Sequence, residues 1–141
     1  MMELSFYIIG IVAALIAYVL NNNYKMGIVL GSVLPSLVFA LLILLFTAHL
    51  PAAFSTHAPV LFYGAAFIGM ASKKILNSYF LIAVAGAEFT FVYQFTSPFF
   101  DGFGGALGTT AGICFLSVYA IKILSNAFEK GAGGKQSTNK I

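Results

Sequence analysis

Long apolar runs, separated by short polar or turn-forming segments, dominate the sequence. A helix needs roughly 20 apolar residues to cross a bilayer core, and about 17 to 25 are acceptable. Runs that meet this requirement are predicted at 4–20, 26–46, 58–74, 78–95 and 104–126. None of them alternates between apolar and polar residues as the strands of a membrane barrel do. The pattern therefore predicts an all-α integral membrane protein with five transmembrane helices.

The third of these runs is short, because its apolar core covers only residues 60–72. It reaches a spanning length if Ala58 is included at one end and Lys74 at the other, since lysine stems can lie along apolar surface while the amine reaches water. The preceding segment, 47–59, contains two histidines and two prolines and is expected to be a loop. A re-entrant third segment, which would leave four spans, is the alternative.

The positions of the lysines distinguish these two topologies. Short loops on the cytosolic side of membrane proteins are enriched in Lys and Arg. With five spans, all seven lysines fall on one side, whereas four spans leave Lys25 alone on the other side. The five-span topology is preferred, with the N-terminus outside and the C-terminus in the cytosol. Residues 1–128 would form one transmembrane domain, and the polar segment 129–141 a disordered cytosolic tail.

Composition excludes an ordinary soluble domain. Hydrophobic residues make up 60% of the chain and charged residues 8%, whereas soluble domains carry about 25% charged residues. The lysines are scattered between apolar runs rather than gathered in a stripe, so nucleic acid is not an expected partner. The expected partner is the lipid bilayer, in a multi-pass protein of the bacterial inner (plasma) membrane. In size and span spacing the chain resembles the compact membrane subunits of some bacterial exporters, and no residue role is taken from that resemblance.

Glu88 is the most informative single residue, because it lies ten residues after Ser78 within the fourth run. An ionised carboxylate near the bilayer centre costs roughly 2.5 to 3.5 kcal/mol on insertion scales. Such acids act as proton relays, cation ligands or counter-ions to a substrate. A protonated glutamate that hydrogen-bonds a neighbouring helix for packing is the alternative. Lys122 is the one basic side chain within a span that could pair with it.

Two helix starts share the pattern G-x-x-L-G-[ST], at 27–32 and 104–109. In the five-span topology they begin on opposite sides of the membrane, which is the arrangement of an inverted repeat around a midplane site. Small residues at this spacing also favour close helix packing. Asp101 can cap the fifth helix, or the free N–H groups there can bind an anion. The candidate substrate or packing residues are Gly27, Gly31, Ser32, Asp101, Gly104, Gly105, Gly108 and Thr109.

No catalytic or cofactor motif is found along the chain. The pattern contains no nucleophile–base pair and no P-loop, so an enzyme is not expected and no cofactor is implied. His49 and His57 are eight residues apart without a neighbouring Cys, Asp or Glu, which makes a metal site there a poor hypothesis. As titrating groups they are candidate pH sensors on the outer face.

These observations favour a small transport protein that moves a solute or an ion, with a proton or a cation coupled through Glu88. Five short helices enclose little volume, so a path would form more easily between chains. We therefore expect a homo-oligomer or a complex with another membrane subunit. The alternative function is a non-catalytic structural or assembly subunit of a larger membrane complex.

Overall fold

A computed structural model of the chain describes residues 2–96 and 104–133. This part of the chain is helical and contains no strand. The five helices are α1 (Met2–Asn22), α2 (Ile28–Leu45), α3 (Ala52–Ala66), α4 (Tyr79–Thr96) and α5 (Gly104–Gly133). Two short 3₁₀ turns, Thr47–His49 and Ile68–Met70, lie on either side of α3. The prediction of an all-helical chain with five helices long and apolar enough to cross a membrane is confirmed.

The expected bounds of the first, second and fourth helices agree with α1, α2 and α4 to within two residues. Pro35 lies inside α2 without ending it. Two buried serines flank this proline, and each donates its hydroxyl to a carbonyl of its own helix, Ser36 to Ser32 at 2.7 Å and Ser32 to Val29 at 3.0 Å. Their polar groups are therefore satisfied within α2.

The third helix departs from the sequence prediction at both ends. It begins at Ala52, so the second half of the segment 47–59 is helical and the prediction of a loop there was wrong. Ser55 and Thr56 fit the helix because each donates its hydroxyl to a carbonyl one turn back. The helix ends at Ala66, and the apolar stretch that could span a membrane is Ala52–Met70 rather than 58–74.

The fifth helix is longer than expected. It continues to Gly133, so the part of the predicted disordered tail from Glu129 to Gly133 is helical and that prediction was wrong there. Glu129 and Lys130 are good helix formers, which extends the helix past the end of the apolar run. The remaining part of the predicted tail, 134–141, lies outside the described residues.

Helix α1 occupies the centre of the bundle and packs against α2, α3 and α4. Its contact with α4 is close because Gly10 faces Gly86: a methyl group added to Gly86 would lie 2.8 Å from the Gly10 carbonyl oxygen. Ala13, Ala14 and Ala17 continue the same small-residue surface and are all buried. Close approach of backbones through small residues is typical of helix pairs in membranes.

Helix α2 lies at the edge of the bundle, since only Gly31, Ser32 and Ser36 of its residues are buried. Its remaining surface is a nearly continuous apolar layer, with Leu44 70% and Leu45 77% exposed. A monomeric soluble protein rarely exposes so much apolar area.

Side chains from α1 fasten the end of the second 3₁₀ turn and the irregular segment 71–78, which joins that turn to α4. The amides of Asn21 and Asn22 donate to the carbonyls of Met70 and Ala71, at 3.1 and 3.0 Å. The Tyr18 hydroxyl donates to the Leu76 carbonyl at 2.6 Å, and the Leu76 side chain is fully buried. This side of the bundle, where α1 ends and α4 begins, is called the Asn22 end below.

Removing the Tyr18 hydroxyl is expected to destabilise the fold. The variant Tyr18→Phe leaves the buried Leu76 carbonyl without its donor, which costs about 1 kcal/mol of unfolding free energy. The measurement is reversible unfolding in a lipid–detergent mixture. Tyr24→Phe is the control, because Tyr24 is 70% exposed, and it should leave the stability unchanged. Equal stability of both variants and the wild type would contradict the assigned role of this hydrogen bond.

Candidate functional site

Glu88 lies in the middle of α4, and its carboxyl group faces Ser117 of α5. The Ser117 Oγ is 2.7 Å from one carboxyl oxygen and 2.6 Å from the other. The same Oγ is 2.9 Å from the carbonyl oxygen of Cys114, one turn earlier in α5. Within the described part of the chain, Ser117 is the hydrogen-bond partner of Glu88. The site is therefore a carboxyl group, a hydroxyl group and a helix carbonyl in contact.

The helical repeat of α4 directs Glu88 toward α5. The residues of α4 that pack on α1 include Gly86 and Thr90, and Glu88 lies between them on a different side of the helix. On α5 the buried residues Ala111, Cys114 and Val118 form the stripe that faces the bundle. Ser117 flanks that stripe and is half-buried, as is Glu88.

Lys122 does not pair with Glu88. Its amine donates instead to the carbonyl oxygen of Ile75 at 2.9 Å, on the segment 71–78. This bond ties α5 to the Asn22 end of the bundle, where Tyr18 and the asparagines of α1 bind the same segment. The Glu88–Lys122 pair that the sequence allowed is therefore not formed.

The first of the two glycine-bearing helix starts is packed against α1. Gly27 precedes α2 with a φ of 93°, a left-handed conformation that favours glycine. A methyl group on Gly31 would lie 3.1 Å from the backbone nitrogen of Asn21. Ser32 is buried and donates to carbonyls of its own helix. Gly31 therefore serves the α1–α2 contact, Gly27 serves the turn before α2, and Ser32 is satisfied within α2.

The second helix start has different surroundings. A methyl group on Gly105 or Gly108 would meet nothing within 4 Å. Thr109 is exposed and donates its hydroxyl to the Gly105 carbonyl at 3.0 Å. Gly104 is the first residue of α5, and Asp101 lies outside the described residues.

The packing of the helices agrees with an inverted repeat, whereas the surroundings of the two glycine motifs do not. Helices α1 and α4 form the central pair, with α2 packed on α1 and α5 packed on α4. That is the arrangement a repeat of the first two and last two helices would produce, yet the two glycine motifs have unlike surroundings. The repeat stays a prediction.

The two histidines lie near the end of the bundle that is opposite Asn22. Their surroundings differ. His57, now on α3, has its Nδ1 3.3 Å from the hydroxyl oxygen of Tyr93 on α4. His49 lies on the first 3₁₀ turn and is exposed. In residues 2–96 and 104–133, no group of three or more His, Cys, Asp or Glu side chains could hold a metal ion.

Sequence reasoning identified Glu88 and missed its partner. Ser117 carries a weak signal, because a serine beside Cys114 and Val118 lies next to the buried stripe of an apolar helix. Serine is frequent in membrane helices, so this signal becomes specific only when the contact between α4 and α5 is known. Comparison with family models, with curated proteins and with solved structures found no match.

Proposed function

We propose that this chain is a multi-pass protein of the bacterial inner membrane that moves a small solute or ion, and that Glu88 is its coupling residue. The proposed topology has five spans, with the N-terminus outside and the C-terminus in the cytosol. The five long apolar helices and the apolar outer layer formed by α2 support a membrane location. The transport function is inferred from the Glu88 site.

The observation that carries this function is the contact between Glu88, in the middle of α4, and Ser117 of α5. A carboxyl group held by a single hydroxyl can gain or lose a proton or a ligand without breaking an ion pair. A neutral side chain would serve a purely structural role equally well, because its free-energy cost in an apolar region is lower. Acids in such positions commonly mark transport pathways.

The distribution of charge supports the proposed orientation. Lys25 follows α1, Lys73 and Lys74 follow α3, and Lys122 and Lys130 lie in the last part of α5. Phe6 of α1 stacks on Phe54 of α3, and Ala17 of α1 lies against Gly69, which follows α3. Helices α1 and α3 therefore run in the same direction, and these lysines lie toward the Asn22 end. Enrichment of lysine on one side indicates the cytosolic side.

The function is tested by reconstituting the purified protein into liposomes and recording transient currents. The probes are Na⁺, K⁺, ammonium and a series of neutral amino acids, each applied as a concentration step. The wild type should give a current with at least one probe that protein-free liposomes lack, and the Glu88→Gln variant should lose it. A current that Glu88→Gln leaves unchanged would exclude Glu88 as the coupling residue.

A second candidate function, a structural subunit of a larger membrane complex, is favoured by the open face of α5. Glycines inside the bundle, such as Gly69 and Gly86, lie against backbone atoms of α1, whereas Gly105, Gly108 and Gly112 face open space. A cleft of about 350 Å³, lined in part by Gly108 and Gly112, lies between α5 and the second 3₁₀ turn. This face fits a close helix–helix contact with a second chain.

Association through this face is expected to be sensitive to side-chain size. Gly108→Leu should weaken self-association in lipid at least ten-fold, because the added side chain keeps the two backbones apart. The measurement is energy transfer between labelled copies at varied protein-to-lipid ratio. Ala120→Leu, on an exposed position of the same helix, is the control and should have no effect. An equal association for Gly108→Leu and the wild type would exclude this face as a site of self-association.

A further inference from the structure

We infer that the cleft between α5 and the second 3₁₀ turn binds one anionic phospholipid, with an acyl chain in the cleft and the phosphate among Lys73, Lys74 and Lys122. This inference rests on the proposed membrane location and orientation, and it does not require the transport function. Two observations on the same pair of elements carry it: the apolar lining of the cleft and the basic side chains that follow this lining along both walls.

The cleft has two walls of apolar side chains and glycines. One wall lies between Phe67 and Ala71, and the other lies on α5 between Gly108 and Phe115. Within the described residues, the lining contributes no hydroxyl, amide or charged side chain. The volume of about 350 Å³ falls in the range of about 300 to 1,000 Å³ that small-molecule sites occupy. A hydrocarbon chain fits this lining, whereas a polar solute would lose its hydrogen bonds to water there.

Lys122 continues the α5 wall toward the Asn22 end. Gly108, Phe115 and Lys122 follow one another at intervals of seven residues, which is close to two helical turns and places them on one face of α5. This face therefore changes from apolar to basic about 10 Å beyond Phe115. Lys122 is half-buried, and its amine is held by the Ile75 carbonyl at 2.9 Å. An ammonium group has three N–H donors, so two of them remain for an anion.

The opposite wall of the cleft changes from apolar to basic in the same direction. Ala71 lines the cleft, and Lys73 and Lys74 follow it after a single serine. Both lysines are exposed. Their backbone is fixed, because the Lys73 N–H donates to the Asn22 Oδ1 at 2.8 Å and the Lys74 N–H donates to the Ser72 Oγ at 3.3 Å. These bonds use the backbone, so they leave both amines available to a ligand.

An amphiphile with an anionic headgroup matches the order of apolar and basic groups on both walls. In the proposed topology the Asn22 end faces the cytosol, so its lysines lie at the depth of the headgroups and the cleft runs from them into the hydrocarbon region. Basic pockets between transmembrane helices on the cytosolic side bind anionic lipid headgroups. The Glu88 carboxyl is bound to Ser117, and Glu129 lies seven residues beyond Lys122, about 10 Å farther along α5.

A second copy of this chain fits the cleft less well than a lipid does. Two copies in one membrane have the same orientation, so their Asn22 ends lie at the same interface. Lys73, Lys74 and Lys122 of one copy would then approach the same lysines of the other, and like charges repel at separations below the Debye length of about 8 to 10 Å. An anionic headgroup has the opposite charge and offsets this repulsion. The charge beside the cleft therefore favours a lipid as its occupant.

The test is native mass spectrometry of the full-length protein in a mild detergent, with dioleoyl phosphatidylglycerol as the probe. Dioleoyl phosphatidylcholine is the matched lipid, because it has the same acyl chains and a zwitterionic headgroup. The wild type should retain one phosphatidylglycerol with a dissociation constant at least about ten-fold lower than that for phosphatidylcholine. Glycerol phosphate, which lacks the acyl chains, should not bind. Binding of glycerol phosphate as tight as that of the lipid would show that the cleft is not used.

Exchange of Lys73 and Lys74 for glutamine is expected to remove the preference for the anionic lipid. The double variant should raise the dissociation constant for phosphatidylglycerol at least about ten-fold and leave that for phosphatidylcholine unchanged. It should fold as the wild type does, because both lysines are held through their backbone N–H groups. The matched control is Lys130→Gln with Lys135→Gln, which removes the same charge and should keep the preference. Lys130 lies near the end of α5, and Lys135 lies outside the described residues.

The cleft itself is tested by Gly112→Leu. Gly112 lines the cleft, and a Cβ at this position would meet nothing within 4 Å. The leucine side chain occupies the space of the acyl chain and should weaken binding of phosphatidylglycerol at least about ten-fold, because a filled cleft excludes the ligand. Ala120→Leu, on an exposed position of the same helix, is the control and should bind the lipid as the wild type does.

Four results would overturn the inference. They are equal retention of the two lipids by the wild type, an unchanged preference in the double variant of Lys73 and Lys74, unchanged binding in Gly112→Leu, and loss of bound phosphatidylglycerol when wild-type copies associate. The last result would assign the cleft to a second copy of the chain. The proposed transport function fails by a separate result, an unchanged current in Glu88→Gln.

Discussion

Replacement of Gly86 by leucine is expected to destabilise the bundle by about 1 to 3 kcal/mol or more, the range observed for overpacked cores. A Cβ at this position would lie 2.8 Å from the Gly10 carbonyl oxygen and 3.2 Å from the Cα of Ile11. Both of these atoms belong to the backbone of α1, so the clash can be relieved only by separating the helices. Since α1 also packs on α2 and α3, the displacement would disturb three contacts.

The appropriate control for this variant is Gly112→Leu. Gly112 has nothing within 4 Å of an added Cβ, and exchange of glycine for leucine in a helix is favourable by propensity. The unfolding free energy of dispersed Gly112→Leu protein should equal or slightly exceed that of the wild type. If Gly86→Leu were as stable as Gly112→Leu, the close crossing of α1 and α4 would be refuted.

The second large effect is expected at Glu88, where exchange for glutamine should lower the probe current at least ten-fold while the protein stays folded. Glutamine retains the size and the hydrogen-bonding capacity of the side chain, but it cannot take up and release a proton. It can still donate an N–H to Ser117, whose Oγ lies 2.6–2.7 Å from the carboxyl oxygens in the wild type. Helical content and the unfolding transition should therefore remain those of the wild type.

Two further variants separate coupling from structure at this position. Glu129→Gln makes the same chemical change near the end of α5, where the side chain is exposed, and should retain the full current. Glu88→Leu removes the hydrogen bond as well as the proton. A subunit role without transport predicts that Glu88→Gln is tolerated and that Glu88→Leu loses association with the partner. That pattern of results would favour the second candidate function over transport.

The number of helices was predictable from the sequence because it depends on the length of apolar runs, a local property. The bounds of α3 were not, since they depend on how polar residues are satisfied. Prolines and histidines at 49–59 are typical of a loop. The hydroxyl groups of Ser55 and Thr56, however, donate to backbone carbonyls one turn earlier in the chain. His57 is half-buried against Tyr93 of α4, a contact between residues far apart in sequence.

Of the two residues that form the candidate site, one was predictable from the sequence. A single acid in an apolar run is conspicuous, and Glu88 was found for that reason. Its partner required the relative rotation of α4 and α5, which apolar patterning does not specify when both helices are apolar on every side. The partner of Lys122 was unpredictable for the same reason. Lys122 lies on the helix that follows the helix of Glu88, but its amine binds the Ile75 carbonyl.

The central position of α1 has a consequence for the synthesis of this protein. The small-residue groove of α1, formed by Gly10 and Ala14, receives Gly86 of α4, which leaves the ribosome dozens of residues later. At ordinary translation rates this delay is on the order of several seconds. In the proposed membrane topology, lipid or an insertion factor covers the groove during that interval. A nascent chain arrested before α4 emerges should therefore be a better substrate for membrane quality-control proteases than one arrested after it.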